Sequence, residues 1–383
     1  MDFNLSEEQV SIQKTAEEFA KGEFDKATAL ECEKTHSFPY DILKKACQLG
    51  FVGIHYPEEY GGQGYGVFEN VLVVEQLCRQ DSGLGTALSC ADSCAEMILR
   101  YGTDDQRTMY LPRITRGEAI SSGAFTEPDH GSDITCLSTT AVRYGNEFVI
   151  NGCKTFITNG TICDFLVVLC QTDLSSVLSR AGQSVFVVEK GAQGLSASDV
   201  GEKMGNKMVP TGELSFNDVK VGESALVGRE KEGFSHALHL FEELRLEVAA
   251  QALGIAQGSL DRAVAYVKER KQFGKRLREF QVTQHKLADM AAKIEATRMI
   301  VYKAAWTFDR GVHNPSLTSI AKLCASRAAV EVADEAIQLH GGYGYMLEYE
   351  VERFYRDARL TELYAGTREI QKNTIARGLL KDF

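Results

Sequence analysis

Between residues 121 and 228 short β-rich runs replace the helical texture on either side, and this contrast limits the fold more than any other feature. Glu147–Ile150, Phe165–Leu169, Ser184–Val188 and Leu214–Phe216 are separated by Gly, Asn and Asp turns, the pattern of an antiparallel barrel or sandwich. Ahead of them, Ser6-Glu7-Glu8-Gln9 has the form of a capping box, in which a serine hydroxyl accepts from the orphan N–H groups of a helix start. Further helices are expected over 40–49, 67–79, 84–101 and 104–116, with Pro57, Gly61-Gly62 and Gly102 in the gaps. After the β-rich stretch, Leu287, Met290, Ala291 and Ile294 recur at i, i+3, i+4 and i+7, which predicts a helix. Others are expected near 316–340 and 366–381. The expected class is therefore α+β with three domains: an N-terminal α-helical domain (1–120), a middle antiparallel β domain (121–228) and a C-terminal four-helix bundle (229–383). Strands do not alternate with helices, which argues against a doubly wound nucleotide-binding sheet. Neither Gly61–Gly66 nor Gly341–Gly344 follows a strand and opens a helix, so neither reads as a dinucleotide loop.

A chain of 383 residues is long enough for several domains and a large core. With 42 basic against 53 acidic residues its net charge is −11, which argues against a nucleic-acid partner while leaving room for a local basic patch and an anionic ligand. No run reaches the roughly 18 apolar residues of a membrane span. The opening Met-Asp-Phe-Asn-Leu-Ser shows no basic stretch leading into an apolar one, so no export signal is readable and a cytoplasmic protein is expected. Ten cysteines lie scattered, mostly in apolar runs and without a Cys-x-x-Cys pair. They read as reduced core residues, and no metal site is expected.

Four segments carry a resemblance: Ala124-Phe-Thr-Glu-Pro-Asp-His-Gly-Ser-Asp133, Asn151-Gly-Cys-Lys-Thr-Phe-Ile-Thr-Asn-Gly160, Arg270-Lys-Gln-Phe-Gly274 with Phe280-Gln281, and Gln338-Leu-His-Gly-Gly-Tyr-Gly344 followed by Arg356-Asp357. Together, in this order, they resemble the acyl-CoA dehydrogenase family over essentially the whole chain. That resemblance implies bound FAD, a CoA-thioester substrate, an electron-transferring flavoprotein or similar acceptor, and a homotetramer built as a dimer of dimers. It places Phe125, Thr126, Phe156, Ile157 and Thr158 at the flavin ring, with Phe156 as an apolar wall and Thr158 near N5. Gly131 and Ser132 would allow close approach, Ser132 also touching the CoA moiety. Arg270, Gln272 and Phe273, with Phe280 and Gln281, and Gln338, Gly341 and Gly342, correspond to cofactor contacts made across a dimer interface. Thr367 and Glu369 complete that set. Glu242 and Arg245 resemble the pair that meets the CoA part, with Tyr364 and Gly366 beside the substrate.

The sequence departs from its family where the chemistry is done. Most members remove the substrate α-proton with the Glu of a Tyr-Glu-Gly-Thr segment, which here reads Tyr364-Ala365-Gly366-Thr367. A minority branch carries Glu immediately before the arginine that is Arg245 here, and that position is Leu244. Glu243 is adjacent, but one helical residue turns the side chain by about 100°, so it reads as an exposed helical glutamate. Asp92, in Leu88-Ser-Cys-Ala-Asp-Ser-Cys94, is the expected base: an aspartate within an apolar helical run is costly to bury unpaired, and its pKa rises toward the useful range. The plainer reading is a structural aspartate bonded to Ser89 or Ser93.

With Ala365 in place of the base, the main-chain N–H of residue 365 can still polarise a thioester carbonyl. An acidic γ C–H then becomes the point of attack in a 2,3-unsaturated ring thioester. This combination resembles the branch of the family that acts on cyclohex-1-ene-1-carboxyl-CoA in anaerobic alicyclic and aromatic metabolism, and the resemblance implies that substrate, oxidised to a conjugated diene by 1,4-elimination. Two alternatives stand beside this: an ordinary α,β-dehydrogenase of a short or branched acyl-CoA using Glu243 or Glu242, and a non-catalytic flavin-bearing acyl-CoA binder.

Overall fold

The structure, a computed structural model, describes residues 4–173, 175 and 180–380. Seven helices come first: α1 (Glu7–Glu23), α2 (Lys26–Thr35), α3 (Tyr40–Gln48), α4 (Val67–Gln80), α5 (Ser82–Ser89), α6 (Glu96–Tyr101) and α7 (Asp104–Thr115). The capping box opens α1 as its sequence predicts, Ser6 accepting from the Gln9 N–H while Gln9 returns a bond to the Ser6 N–H. Eight strands follow: β1 (Ser121–Ala124), β2 (Thr140–Tyr144), β3 (Glu147–Thr158), β4 (Phe165–Gln171), β5 (Gln183–Glu189), β6 (Leu195–Asp199), β7 (Thr211–Gly222) and β8 (Leu226–Val227). The chain closes with α8 (Gly233–Glu269), a small hairpin of β9 (Lys271–Gln272) and β10 (Lys275–Arg276), then α9 (Gln281–Asp309), α10 (Pro315–His340), α11 (Val351–Thr361) and α12 (Arg368–Leu379). The helix expected over 366–381 ends at Leu379, and its last expected residue lies outside the described ones.

The sheet runs β6-β7-β3-β2-β4-β5-β8, with β1 beside β4. Its long pairings are antiparallel, as the hairpin-rich pattern predicts, but β1 and β2 meet β4 in parallel. β4 is buried at every residue, so it reads as an unbroken apolar run rather than an alternating one.

Two apolar cores share α4. Its Val73 and Leu77 join the core under the sheet and the early helices, while Val71, Leu72, Val74 and Cys78 join the bundle of α8 to α11. α8 reaches α4 closely because it carries Gly254 and Gly258: a Cβ there would fall 2.3 Å from the Glu75 carbonyl and 2.2 Å from that of Arg79. Among the described residues no helix is long and apolar enough to cross a membrane.

The single long helix expected over 84–101 does not form. α5 stops at Ser89, a turn occupies 90–95 with Cys94 at φ 66°, and α6 starts at Glu96. The β region takes the carbonyls a continuing helix would use. Asn159 Nδ2 donates to the Cys90 carbonyl at 2.7 Å, the Ser121 N–H to that of Ala91 at 3.0 Å, and the Ser121 hydroxyl to that of Ser93 at 3.1 Å.

Candidate active site

Asp92 sits in that turn. It is 8% exposed, and its partner is the hydroxyl of Tyr56, which donates to Oδ2 at 3.2 Å, not Ser89 or Ser93. Ser89 donates instead to the Thr86 carbonyl, and Ser93 faces Cys94. Burial pushes the Asp92 carboxyl up, opposed by the nearby His55 and by the Tyr56 bond. The Asn159 bond to Cys90 places the turn next to Thr158, the residue expected at the reacting face of a flavin.

On α8 the expectation for Glu243 is overturned. It is 4% exposed, and Oε2 accepts from Arg100 Nη2 at 2.6 Å and Nε at 2.9 Å. Oε1 lies 3.5 Å from His55 Nε2, which is also 3.7 Å from Glu96. The face that a lone helix would show to water is covered here by α6 and the loop before α4. Glu242 and Arg245 are likewise buried and not a solvated ion pair: Glu242 Oε2 and Arg245 Nε have no hydrogen-bond partner among the described residues. Each is a buried polar atom that a bound polar group could satisfy.

The third wall is Tyr364–Thr367. Ala365 takes φ 50° and Gly366 φ 93°, left-handed values unusual for alanine. Two fully buried side chains hold this turn. Lys322 Nζ donates to the Gly366 carbonyl at 2.7 Å, while Gln371 Nε2 donates to the carbonyls of Gly366 at 2.9 Å and Ala365 at 3.0 Å. A side chain at 366 would meet Gln371 Nε2 at 2.7 Å. The Ala365 N–H has no acceptor among the described residues. Burial, reinforced by Arg245, lowers Lys322 to about 7. The Tyr364 hydroxyl donates to Gln251 Oε1, and Gln251 Nε2 donates to Ser89 Oγ at 2.9 Å. Gln251 therefore ties the 364–367 turn to the Asp92 turn.

Sequence reasoning missed Lys322, Gln371, Tyr56 and Glu247. Lys322 leaves a trace, a lone charge in Ile320-Ala-Lys-Leu-Cys-Ala325. Glu247 lies three residues beyond Leu244 and four before Gln251, so helical spacing alone puts the three on one face.

The segments expected at the flavin ring come together. The Thr155 N–H donates to the Thr126 carbonyl at 2.9 Å, and Lys154 Nζ donates to the Phe125 carbonyl at 3.0 Å and to Glu127 at 2.8 Å. Phe125 and Ile157 are buried behind them, Thr126 and Thr158 half-buried. Phe156 stands out at φ 56° with 69% exposure. An aromatic ring held off the surface in a strained backbone, beside open hydroxyls, fits an isoalloxazine wall. Gly131 and Ser132 are exposed, and a Cβ at Gly131 would meet nothing within 4 Å. The second set gathers elsewhere: the Arg270 guanidinium lies 5.2 Å from the Tyr343 ring centre, beside exposed Gln338, Gly341 and Gly342, with Gln272 and Phe273 on the exposed hairpin. Phe280 caps α9 ahead of exposed Gln281, and Thr367 caps α12 ahead of exposed Glu369. Among the described residues no hydrogen bond or ring contact joins the two sets within one chain. An apolar ring wall, open glycine backbone and a separate cation fit FAD.

Family comparisons agree with this geometry. The N-terminal, middle and C-terminal domain descriptions of acyl-CoA dehydrogenase match residues 6–118, 122–219 and 231–380. The chain belongs to the acyl-CoA dehydrogenase family. It is an FAD-dependent oxidoreductase acting on CH–CH groups of acyl-CoA thioesters. It is 42% identical to a short-chain-specific acyl-CoA dehydrogenase of Clostridium acetobutylicum over 98% of this chain and 99% of that one. With a cyclohexane-1-carbonyl-CoA dehydrogenase of Geobacter metallireducens the identity is 37% over 99% of each. A solved structure described under the electron-transferring flavoprotein of Acidaminococcus fermentans contains a chain of 42% identity, superposing with a TM-score of 0.96 over 100% of both chains.

Proposed function

We propose that this acyl-CoA dehydrogenase converts cyclohex-1-ene-1-carboxyl-CoA to cyclohexa-1,5-diene-1-carboxyl-CoA by 1,4-dehydrogenation, with Asp92 as the base. One observation carries the reading. Asp92 is a buried carboxyl in the turn whose Cys90 carbonyl accepts from Asn159, next to Thr158, and Gln251 joins Ser89 at the edge of that turn to Tyr364, while neither family base is present at 365 or 244.

Asp92 takes the proton from the ring carbon γ to the carbonyl, C3. The C–H electrons spread through C2 and C1 onto the thioester oxygen, where the free Ala365 N–H faces the developing charge. As that charge returns, a hydride leaves C6, forming the second double bond. FAD, when bound, supplies the hydride acceptor. One proton and one hydride are lost, and the product keeps both double bonds conjugated with the carbonyl. Glu242 and Arg245, open and buried, would hold the CoA side of the thioester, with Ser132 at its other edge.

The reading extends to a cytoplasmic homotetramer that hands its electrons to an electron-transferring flavoprotein. Support comes from the split FAD site and from the Acidaminococcus fermentans structure. Glu243 is the weaker base, because Arg100 holds its carboxylate.

Anaerobic flavin reduction tests the proposal, using butyryl-CoA, cyclohexane-1-carboxyl-CoA and cyclohex-1-ene-1-carboxyl-CoA. Fast bleaching by the cyclohexenyl thioester and slow bleaching by butyryl-CoA are expected. Ready bleaching by butyryl-CoA selects the ordinary dehydrogenase, and no bleaching by any thioester selects the binder.

A further inference from the structure

We propose that Asp92 returns its proton to solvent through a small cavity behind it, by way of one water, with Asn70 as the positioning residue at the outer end. The proposal rests on the reading of Asp92 as the base.

The cavity measures about 20 Å³ and lies between α3, α4, α5 and the Asp92 turn. That volume admits a water and excludes a ring or an acyl chain. Phe51, Val73 and Leu77 supply apolar wall, and three polar residues interrupt it: Asp92, Ser89 and Asn70. Among the described residues Asp92 is the only ionisable group that lines it. A purely apolar void stays dry, whereas about two to four polar partners hold a water. Ser89 donates to the Thr86 carbonyl at 3.1 Å and accepts from Gln251 Nε2 at 2.9 Å, which leaves a lone pair open. Asn70 is half-exposed on α4, and its side-chain amide has no partner among the described residues. The cavity therefore joins the base to a polar group that meets solvent.

A buried base has to be reset after each turnover. With the acyl group over one side of Asp92, the proton taken from C3 leaves through the protein. The other groups that face Asp92 offer it no place. Tyr56 already donates to Oδ2. Burial lowers the His55 imidazole to about 4, and its Nε2 lies against Glu243 at 3.5 Å and Glu96 at 3.7 Å, both buried themselves. Burial pushes the carboxyls of Glu96 and Glu247 well above the ordinary range, so they keep protons of their own. Arg100 holds Glu243, and burial pushes the Cys47 thiol up to about 12. In the cavity the step balances. The Asp92 O–H breaks, the water takes that proton and passes one of its own to solvent beside Asn70, and the carboxylate is restored.

Deuterium exchange at C3 tests the route without redox chemistry. The FAD-loaded enzyme is first reduced with dithionite, so that no hydride is accepted, and then incubated with cyclohex-1-ene-1-carboxyl-CoA in heavy water. Mass spectrometry and NMR read the label. Exchange requires the proton on Asp92 to be replaced from solvent before it returns to the ring, and the wild type should label C3. Asn70→Leu should slow labelling about tenfold or more, the scale of one lost hydrogen-bond partner. Single-turnover flavin reduction by its oxidised form should stay near wild type, because Asp92 starts ionised. Asn70→Ser keeps a polar side chain and should retain most of the labelling, which separates a lost water position from simple misfolding. Unchanged labelling in Asn70→Leu overturns the proposal, as does a loss in His55→Gln that Asn70→Leu does not share. Labelling that persists in Asp92→Asn refutes the base reading, whereas labelling that Asp92→Asn abolishes and Asn70→Leu spares refutes the exit alone.

Discussion

The Tyr56 hydroxyl donates to Asp92 Oδ2 across 3.2 Å, with both residues buried. A hydrogen bond to a carboxylate stabilises the ionised form, so Tyr56 offsets part of the rise that burial imposes on Asp92. A base works ionised: flavin reduction should rise with pH through the Asp92 ionisation and be lost as pH falls below it. Tyr56→Phe removes the opposing bond, so the acidic limb of the pH–rate profile should move upward. Stopped-flow reduction across pH reads the shift.

Asp92→Asn should lower flavin reduction by cyclohex-1-ene-1-carboxyl-CoA by about 10²–10⁴-fold, the usual contribution of a positioned general base. Asn keeps the volume and one acceptor for Tyr56, so FAD content and thioester binding should stay close to wild type. Reduction at the parental rate would remove the main support for 1,4-elimination.

Glu243→Gln should act on stability instead. It leaves the Arg100 guanidinium without its carboxylate partner, and breaking a buried pair typically costs about 3–5 kcal/mol, discounted here because Arg100 is partly exposed. A drop in unfolding midpoint with little change in the rate of flavin reduction is expected.

Lys322→Met should loosen the Ala365–Gly366 turn, lowering the flavin reduction rate more than it weakens thioester binding. It should also change the pH dependence of stability. Burial holds the folded-state pKa of Lys322 near 7, below the ordinary lysine value of 10.5. Between these values the unfolded chain holds the extra proton, so wild-type stability gains as pH rises from about 7 toward 10.5. Denaturant unfolding of Lys322→Met should lack that gain.

Ala365→Glu should bring back α,β-dehydrogenation of a saturated thioester. The turn is held by Lys322 and Gln371 through main-chain carbonyls, so a new side chain at 365 inherits its geometry. Bleaching by butyryl-CoA is the readout.

FAD should co-purify at about one per chain in a tetramer. Phe273 and Tyr345 are 93% and 84% exposed, aromatic surface of a kind that marks an interaction site. Sedimentation and absorbance check both, and a monomer holding full FAD would contradict the split site.

The order of elements was legible in the sequence because it depends on local pattern: strand alternation, helix periodicity, and turn residues with fixed spacing. Asp92 stood out for the same reason, a charge in an apolar run. What it touches was not legible. Asn159 and Ser121 end α5 by taking carbonyls from a turn some 30 to 70 residues away in sequence, and no local propensity records that. Glu243 was assigned to water from the rotation of one helix, whereas Arg100 and His55 from other segments cover it. Glu247, Lys322 and Gln371 gain their meaning only where α8, α10 and α12 converge on the Asp92 and Ala365 turns. The sequence specified which groups are present and the faces on which they lie. Tertiary packing decided which are buried, and burial with its partners decides which carboxyl keeps its proton.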